Sequence, residues 1–501
     1  MNRFYITTAI PYVNADPHQG FAMELVQGDV LARYHRLIGD DTFFLCGSDE
    51  NALKNVQAAE KAGVSIQEFI DQHATKFIDL TKALNLSNDD FIRTTEDRHI
   101  RSSQKLWLLC DKAGDIYKKK YKGLYCVGCE EFKTKKELVD GLCSEHKVAP
   151  EEVEEENYFF RLSKYQKPLE DLIDSGRLEI IPETKKNEVR EFIHQGLEDF
   201  SISRSKERAK NWGIDVPGDP DSKIYVWFDA LINYLSALGF ADDDLKFEKY
   251  WQENQERCHL IGKGISRFHC IFFPAMLLSA GLKPPSRVYI HGYLTIGGEK
   301  ISKSLGNVVD PFVIIEKYTS DVVRYFLLRE IPSDGDGDFS EEKLKERYQG
   351  DLANGLGNLV QRVVTLIEKG LDSELVYSPD TIQKEVIEKS ASIEAIWHEK
   401  IKNFKLHEAL AAVWDLIGFA NAYVDQHKPW KTIEENPKHF LETITNLVFL
   451  LLSINKMISP FLPETSDKIY KILGVKPETD PLNGYTFLVK KGEPLFPRLS
   501  E

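Results

Sequence analysis

The chain is poor in cysteine, carries no excess of positive charge, and has no apolar run long enough to cross a bilayer. Seven cysteines among 501 residues, an odd number, do not make a secreted disulfide scaffold. Cys46, Cys110, Cys258 and Cys270 are scattered and read as buried small apolar residues in a reducing compartment. Sixty-four Lys and Arg stand against 79 Asp and Glu, a net charge of −15, which excludes a generally basic coat for nucleic acid. Local basic clusters do occur: Lys118 to Lys120 with Lys122, then Lys133, Lys135 and Lys136, then Arg204, Lys206, Arg208 and Lys210. Each reads either as a solvated face or as a nucleic-acid contact. The apolar stretch Leu447 to Leu452 is far short of the ~20 residues a spanning helix needs and is expected to be a buried helix. The N-terminal residues Met1 to Thr8 contain no long apolar region and no small-residue cleavage site. A cytoplasmic protein without a membrane partner is therefore expected.

What is present is a soluble globular composition, 42% hydrophobic and 29% charged, in a chain long enough for several folded units at about 100–200 residues each. Residues 3–13 (RFYITTAIPYV) pattern as a strand running into a turn marked by Pro11, Asn14, Asp16 and Pro17. Phe21, Leu25, Val26 and Leu31 recur at helical spacing from Gly20 to about Ile38, and Gly39-Asp40-Asp41 stops the helix. Thr42 to Cys46 reads as a second buried strand, so this region forms a βαβ unit of a parallel sheet. From about 116 to 222 the chain turns dense in Lys and Glu and reads as an insertion. The α/β pattern resumes at Ile224-Tyr225-Val226-Trp227-Phe228 and continues through His259 to Gly262 and Arg287 to Ile290. Beyond about 346 the pattern is helical with almost no strand signal, and the Gly- and Asp-rich loop Pro332 to Phe339 marks the approach to that boundary.

Three motifs carry chemistry. Pro17-His18-Gln19-Gly20 stands at a strand-to-helix junction, where free N–H groups suit phosphate and a glycine permits close approach. His18 there suits donation to a phosphoryl oxygen as charge builds, although the motif alone is equally a loop histidine. Gly297-Gly298-Glu299-Lys300-Ile301-Ser302-Lys303-Ser304 places two lysines three apart in a Gly-rich loop, point charges for polyphosphate or a solvated basic loop. Cys126, Cys129, Cys143 and His146, in a C-x2-C-x13-C-x2-H arrangement, supply the four ligands of tetrahedral Zn²⁺. A redox pair at Cys126 and Cys129 is the rival, and it leaves Cys143 and His146 unexplained.

His18-x-Gly20 together with Lys300-Ile301-Ser302-Lys303-Ser304 resembles the paired signatures of class I aminoacyl-tRNA synthetases. The ordered series ITTAIPYVNADPHQG, FFLCGSDE, LYCVGCEEF, NYFFRLSKYQ, YVWFDALINYLSALG, HLIGKGISRFHCIFFPAMLLSAG, HGYLTIGGEKISKSLGNVVDP, DLANGLGNLVQR and HKPW resembles the methionyl-tRNA synthetase family over essentially the whole chain. The resemblance implies an α/β fold: a Rossmann-type parallel-sheet catalytic domain split into 1–115 and 223–290, a connective insertion at 116–222 with one structural zinc knuckle, a KISKS loop and stem-contact region at 291–345, and a C-terminal α-helical bundle at 346–501 that binds the anticodon. It implies ATP-dependent activation of methionine to methionyl-adenylate and transfer to the 3′-terminal adenosine of tRNA(Met). His18, Lys300 and Lys303 would be catalytic. His18, Gly20, Lys300, Ser302 and Lys303 would bind ATP, with Mg²⁺ accompanying it.

The family's methionine pocket falls on Ile10, Tyr12, Asp49, Trp227, Ala230, Leu231, Tyr234, Phe268 and His269. Aromatic walls suit a polarisable thioether, and Asp49 would pair with the α-ammonium; the same aromatics also read as plain core. Asn354, Asn358 and Arg362, four apart on a helix, share a face. The family's anticodon contacts fall on Asn358, Arg362 and, for base stacking, Trp430. Three positions depart from the usual family pattern. Phe21 replaces a second histidine and removes a possible nucleotide contact. Asn51-Ala52 replaces His-Gly after Asp49-Glu50. Gly264 replaces an aspartate expected near the ribose. No further tRNA-binding domain follows the helical region in this sequence, so a monomer is expected. Another class I synthetase and a non-enzymatic zinc-bearing RNA-binding module remain as alternatives at this level.

Overall fold

A computed structural model describes residues 2–126, 131–133, 138–143, 147–300, 309–477, 479, 482–490 and 492–498, without the side chains of residues 131, 132 and 300. It divides into two compact units. The first comprises Met1–His18, His35–Lys82 and Leu86–His291; the second comprises Gln19–Tyr34, Ala83–Asn85 and Gly292–Glu501.

The first unit is built on a six-stranded sheet in the order Asp90–Arg93, Asp41–Ser48, Arg3–Thr8, Glu256–Gly262, Arg287–His291, Glu179–Ile181. Every pairing is parallel. The strand Arg3–Thr8 is buried at every position from Phe4 onward, the continuous burial of a parallel strand covered on both faces. Thr7 is polar yet satisfied: its Oγ1 lies 2.7 Å from His259 Nδ1 on the neighbouring strand. Strand order reverses direction at this pair. The loops leaving the carboxyl ends of Arg3–Thr8 and Glu256–Gly262 therefore diverge and open a crevice.

The α/β reading of the N-terminal region matches the structure, with a helix at Gln19–Leu37 between the strands Arg3–Thr8 and Asp41–Ser48. The run Ile224 to Phe228 differs. The strand Asp219–Ile224 ends there and Val226–Ala230 is a helical turn, with the Asp229 amide donating to the Tyr225 carbonyl. A five-residue apolar run does not by itself distinguish the two states. The 116–222 stretch supplies the edge strand Glu179–Ile181 of the main sheet and also an antiparallel ribbon, Ile116–Cys126 against Glu151–Phe160.

Much of the charge in the basic clusters is answered within this unit; Lys135 and Lys136 lie outside the described residues. Lys120 stands opposite Glu156 and Lys122 opposite Glu154, cross-strand pairs of opposite charge. Lys118 reaches Asp219 at 2.7 Å. Arg204 is buried, its guanidinium 4.5 Å from the Tyr125 ring centre and 4.8 Å from that of Tyr225. Lys210 pairs with Glu60. These cations are matched inside the unit by carboxylates and aromatic faces. Cys46, Cys110, Cys258 and Cys270 are buried, as expected.

The second unit is dominated by helices with legible starts. Asp310, Ser340 and Asn436 accept from the amides of Phe312, Lys343 and His439, capping Pro311–Tyr318, Glu341–Arg347 and Pro437–Ile458, and proline opens the first and last of these. Pro437–Ile458 is long and apolar enough to cross a membrane, but most of it is buried inside the fold, consistent with a core helix. One ribbon escaped the sequence reading: Glu374–Tyr377 pairs antiparallel with Tyr485–Leu488. Both strands are four residues long and bury only alternate or single side chains, too little pattern to register.

Arg324 is the polar centre of this unit. Its side chain is fully buried and pairs with buried Asp29 at 2.7 Å. It also donates to the carbonyls of Phe461 (2.8 Å), Leu84 (3.1 Å) and Pro460 (3.0 Å). Removing one partner of such a pair strands a buried charge, at a cost of about 3–5 kcal/mol. Arg33, 2.7 Å from Asp29, remains to offset part of it. Arg324→Leu is therefore expected to lower stability by about 3 kcal/mol in urea unfolding, and a loss under about 1 kcal/mol would contradict this role.

Candidate active site

The carboxyl end of the main sheet in the first unit carries the residues of the expected methionine pocket. Past Thr8 the chain continues in contact with the sheet, the Ala9 amide donating to the Leu260 carbonyl at 3.1 Å. Tyr12 then bridges Asp49 in parallel, with the Asp49 amide donating to the Pro11 carbonyl at 2.8 Å. The loops following two adjacent strands are thus tied together. Ile10 packs against Gly47, where a Cβ would lie 2.8 Å from the Ile10 methyl and 2.5 Å from the Ile92 carbonyl; only glycine fits this approach.

Around this tie stands an aromatic group. Trp227 and Phe268 stack with ring centres 3.8 Å apart and planes 6° apart, and Tyr12 meets Trp227 edge-on at 6.2 Å. Ala230, Leu231 and Tyr234 lie on the same helical stretch and are buried. The Tyr234 hydroxyl is 2.7 Å from His269 Nε2, and His269 Nδ1 is 3.0 Å from the Ile265 carbonyl. A carbonyl only accepts, so Nδ1 carries the proton. Burial pushes the His269 pKa down to about 4, so the ring is neutral at pH 7 and Nε2 accepts from Tyr234. His259 is likewise pushed far down by burial and by neighbouring His269. The end of the slot is therefore uncharged, with the Tyr234 proton already committed. It suits an apolar, polarisable group. Trp227 Nε1 is buried without a hydrogen-bond partner among the described residues.

Behind the slot is a polar network that the sequence reading did not anticipate. Asn51 Nδ2 donates to Asp229 Oδ2 at 3.0 Å and to the Thr94 carbonyl at 3.1 Å. Asp229 Oδ1 is 3.0 Å from His99 Nε2, and His99 Nδ1 is 3.1 Å from Ser236 Oγ. Asp229 and His99 are fully buried, and burial raises the Asp229 pKa despite the opposing pull of His99. The only signal in the sequence was an acid inside an otherwise apolar run, Tyr225 to Leu231.

The remaining candidates are placed as follows. His18 is half-buried immediately before the helix Gln19–Leu37. Gln19 was also missed: its side chain is fully buried and neither amide atom has a partner among the described residues, an arrangement that calls for a polar ligand or water. Gly20 lies in the first turn of the helix. The lysine loop is entered through a hairpin, Leu294–Ile296 against Glu299–Lys300. Gly297 and Gly298 form its turn at φ +62° and +78°, the doubly left-handed geometry of a tight hairpin. Asp338, from the Gly- and Asp-rich loop, accepts from the Gly298 amide at 2.9 Å and from Thr295 Oγ1 at 2.9 Å, bonds that hold its carboxyl pKa down. Ser302 and Lys303 lie outside the described residues, as does the Lys300 side chain.

In the helical unit, Arg362 pairs with Asp425 at 2.5 Å and lies 5.9 Å from the ring centre of exposed Trp430. Asn358 is exposed one turn earlier. Asn354 is exposed too, on a ten-residue π-helical stretch, Tyr348–Gly357, that precedes the α-helix. Cys126 ends the ribbon strand and Cys143 lies in the following short hairpin, both fully buried. Cys129 and His146 lie outside the described residues. Gly264 sits exposed on the turn Lys263–Ile265.

Comparison with known proteins fits this geometry. A family model for class I tRNA synthetases (M) matches residues 4–149 and 133–364, and a model for the anticodon-binding domain of tRNA ligases matches 383–490. The fold is that of a class I synthetase, α/β with a parallel sheet and a helical C-terminal region. The chain is 41% identical to the methionine–tRNA ligase of Thermotoga maritima, over 99% of this chain and 80% of that protein. It is 40% identical to that of Brucella suis over 100% of this chain and 98% of that one. Its structure superposes on Mycobacterium tuberculosis methionyl-tRNA synthetase in complex with methionyl-adenylate with a TM-score of 0.93, at 38% identity, covering 99% of this chain and all of the other. The chain belongs to the methionine–tRNA ligase family.

The neutral histidine predicts a pH dependence. Between pH 6.5 and about 4 the unfolded chain protonates at His269 while the folded one does not, so stability rises with pH across that window and is lost as pH falls. The contribution is about 3 kcal/mol. Urea unfolding at pH 7 and pH 4.5 is expected to show a smaller acid loss in His269→Gln than in the unaltered chain; equal losses would refute the assignment.

Proposed function

We propose that this chain activates methionine with ATP, giving methionyl-adenylate and pyrophosphate, and passes the methionyl group to the 3′-terminal adenosine of tRNA(Met). The observation that carries the reading is the uncharged aromatic slot of Trp227, Phe268, Tyr234 and His269, beside a loop tie that holds Asp49. Asp49 would pair with the α-ammonium. Ile10, Tyr12, Ala230 and Leu231 would complete the walls, and the slot would accept the thioether without offering it a charge.

In the first step the methionine carboxylate attacks the α-phosphorus and pyrophosphate leaves. His18 and the amides opening the helix at Gln19 and Gly20 would meet the negative charge that grows on the α-phosphate. Lys300 and Lys303, with Ser302 between them, would hold the β- and γ-phosphates alongside Mg²⁺. The Gly297-Gly298 turn and its anchor at Asp338 would orient that loop. In the second step a ribose hydroxyl of the tRNA attacks the adenylate carbonyl and AMP leaves. No side-chain nucleophile enters either step, so rate comes from positioning and electrostatics.

The domain organisation follows the same reading: catalytic halves at 1–115 and 223–290, the connective insertion at 116–222, the lysine-loop region at 291–345 and an anticodon-binding part at 346–501. Arg362 and Trp430, held together with Asp425, would engage an unpaired anticodon base, with Asn358 beside them. The buried thiols of Cys126 and Cys143 are soft donors placed away from solvent, which fits one structural Zn²⁺ completed by Cys129 and His146. The ion would cross-link the loops at the tip of the ribbon. Operation in the cytoplasm accords with this function.

ATP–pyrophosphate exchange with each amino acid in turn tests the reading: exchange with methionine is expected, and exchange driven by another amino acid instead would overturn it. Lys300→Ala is expected to slow adenylate formation at least about tenfold, near 1.4 kcal/mol, with methionine binding retained. Trp430→Ala is expected to cut kcat/KM for tRNA by about tenfold or more while exchange is untouched, the loss of one stacked base. Metal analysis of the purified protein is expected to find stoichiometric zinc.

A further inference from the structure

The departure at position 51 lies at a junction. The segment Asp49 to Asn51 is wired on every side: the Asp49 carbonyl accepts from Asn55 Nδ2 at 3.0 Å, the Glu50 amide donates to Thr94 Oγ1 at 2.8 Å, and the Glu50 carbonyl accepts from Trp212 Nε1 at 2.8 Å. The Asn51 amide then donates to Asp49 Oδ1 at 3.2 Å. Its side chain uses both Nδ2 hydrogens, one on the Thr94 carbonyl and one on Asp229 Oδ2. Asp229 belongs to the same helical turn as Trp227 and Ala230. One residue therefore touches, through hydrogen bonds, the carboxylate on one side of the slot and the helix that carries the aromatic wall on the other.

We propose that Asn51 is a positioning residue of the methionine site, fixing the Asp49 carboxylate and the Trp227 helix relative to each other through donation to Asp229. The proposal rests on the reading of Asp49 and Trp227 as methionine contacts. Asp229 needs a donor on each oxygen to stay buried. His99 supplies one and Asn51 the other. In the common family pattern histidine stands at this position, and an imidazole N–H is also a donor. Asn51 also borders a cavity of about 320 Å³ lined by Thr95, Ile100, Gln104 and Trp212. An imidazole N–H turned toward Asp229 would keep a donor there.

The test is methionine-dependent ATP–pyrophosphate exchange in four proteins: the unaltered chain, Asn51→Ala, Asn51→Asp and Asn51→His. Asn51→Ala strands one oxygen of Asp229 and is expected to raise KM for methionine about tenfold, with KM for ATP changed less than about twofold. Asn51→Asp has the same shape but no donor, and sets a second carboxylate against Asp229; it is expected to be at least as impaired. Asn51→His restores donation and is expected to bring KM for methionine back to within about threefold. Equal behaviour of Asn51→Ala and the unaltered chain, or Asn51→Asp indistinguishable from wild type, overturns the proposal. A matched rise in both KM values that Asn51→His does not rescue does so too, because it marks general damage. Absence of methionine-dependent exchange in the unaltered chain is a different result and overturns the underlying functional reading.

Discussion

The first unit depends on one pairing. Strand Arg3–Thr8 lies beside Glu256–Gly262, about 250 residues later in the chain. Closing such a long loop costs entropy that grows only slowly with length, and it is offset by complete burial of Tyr5, Ile6, Leu260 and Ile261. Strand order reverses here, and in open α/β sheets such a switch point is where ligands are commonly held. The Tyr12–Asp49 bridge, the Trp227–Phe268 stack and the Tyr234–His269 bond all hang from that switch point. A slip of one residue in this register would turn Tyr5 and Thr7 to the opposite face. It would break both the Tyr5 hydroxyl bond to the Tyr234 carbonyl, 2.6 Å long, and the Thr7–His259 bond.

Buried polar groups in both units are held largely by one another. Asp229, His99 and Ser236 answer one another in the interior, as do Arg324 and Asp29 in the helical unit. Trp227 Nε1 and the Gln19 amide do not find protein partners among the described residues. A buried donor left without an acceptor costs on the order of 1–3 kcal/mol, so such groups are kept where a ligand or water supplies the missing bond. One belongs to the aromatic slot and the other to the helix start that follows His18. The neutrality of His269 follows the same logic in reverse. With one ring nitrogen held by a carbonyl and the other by a phenol, nothing compensates a positive charge, and the proton stays off.

Much of this was legible in the sequence because it rests on local pattern. The strand–helix–strand opening and the buried apolar stretch around Leu447 follow from periodicity and end signals. What depended on distant partners was not legible. Glu179–Ile181 is three residues long and becomes a strand only because Arg287–His291 offers it an edge. The lysines of the ribbon looked like a basic patch until the glutamates some 35 residues on stood opposite them. The roles suggested for Tyr234 and His269 came through family resemblance; their hydrogen bond, and the tautomer it fixes, required coordinates. His99 and Asp229 offered no motif at all. They are 130 residues apart, and their meaning lies in the pairing.

The three departures from the family pattern show why residue identity and chemical function come apart. Phe21 is buried as part of a core face, so its position is filled by packing, while the polar Gln19 two residues earlier brings an unsatisfied amide to the start of the same helix. Asn51 is not a loss: the atoms around it require donors, and an amide has two. Gly264 is a different case, since an exposed residue without a side chain on the turn Lys263–Ile265 contributes neither packing nor polarity. At the first two positions the fold constrains what may stand there, through packing at Phe21 and hydrogen bonding at Asn51. A departure of the third kind leaves packing among the described residues unaltered, because Gly264 is exposed and carries no side chain.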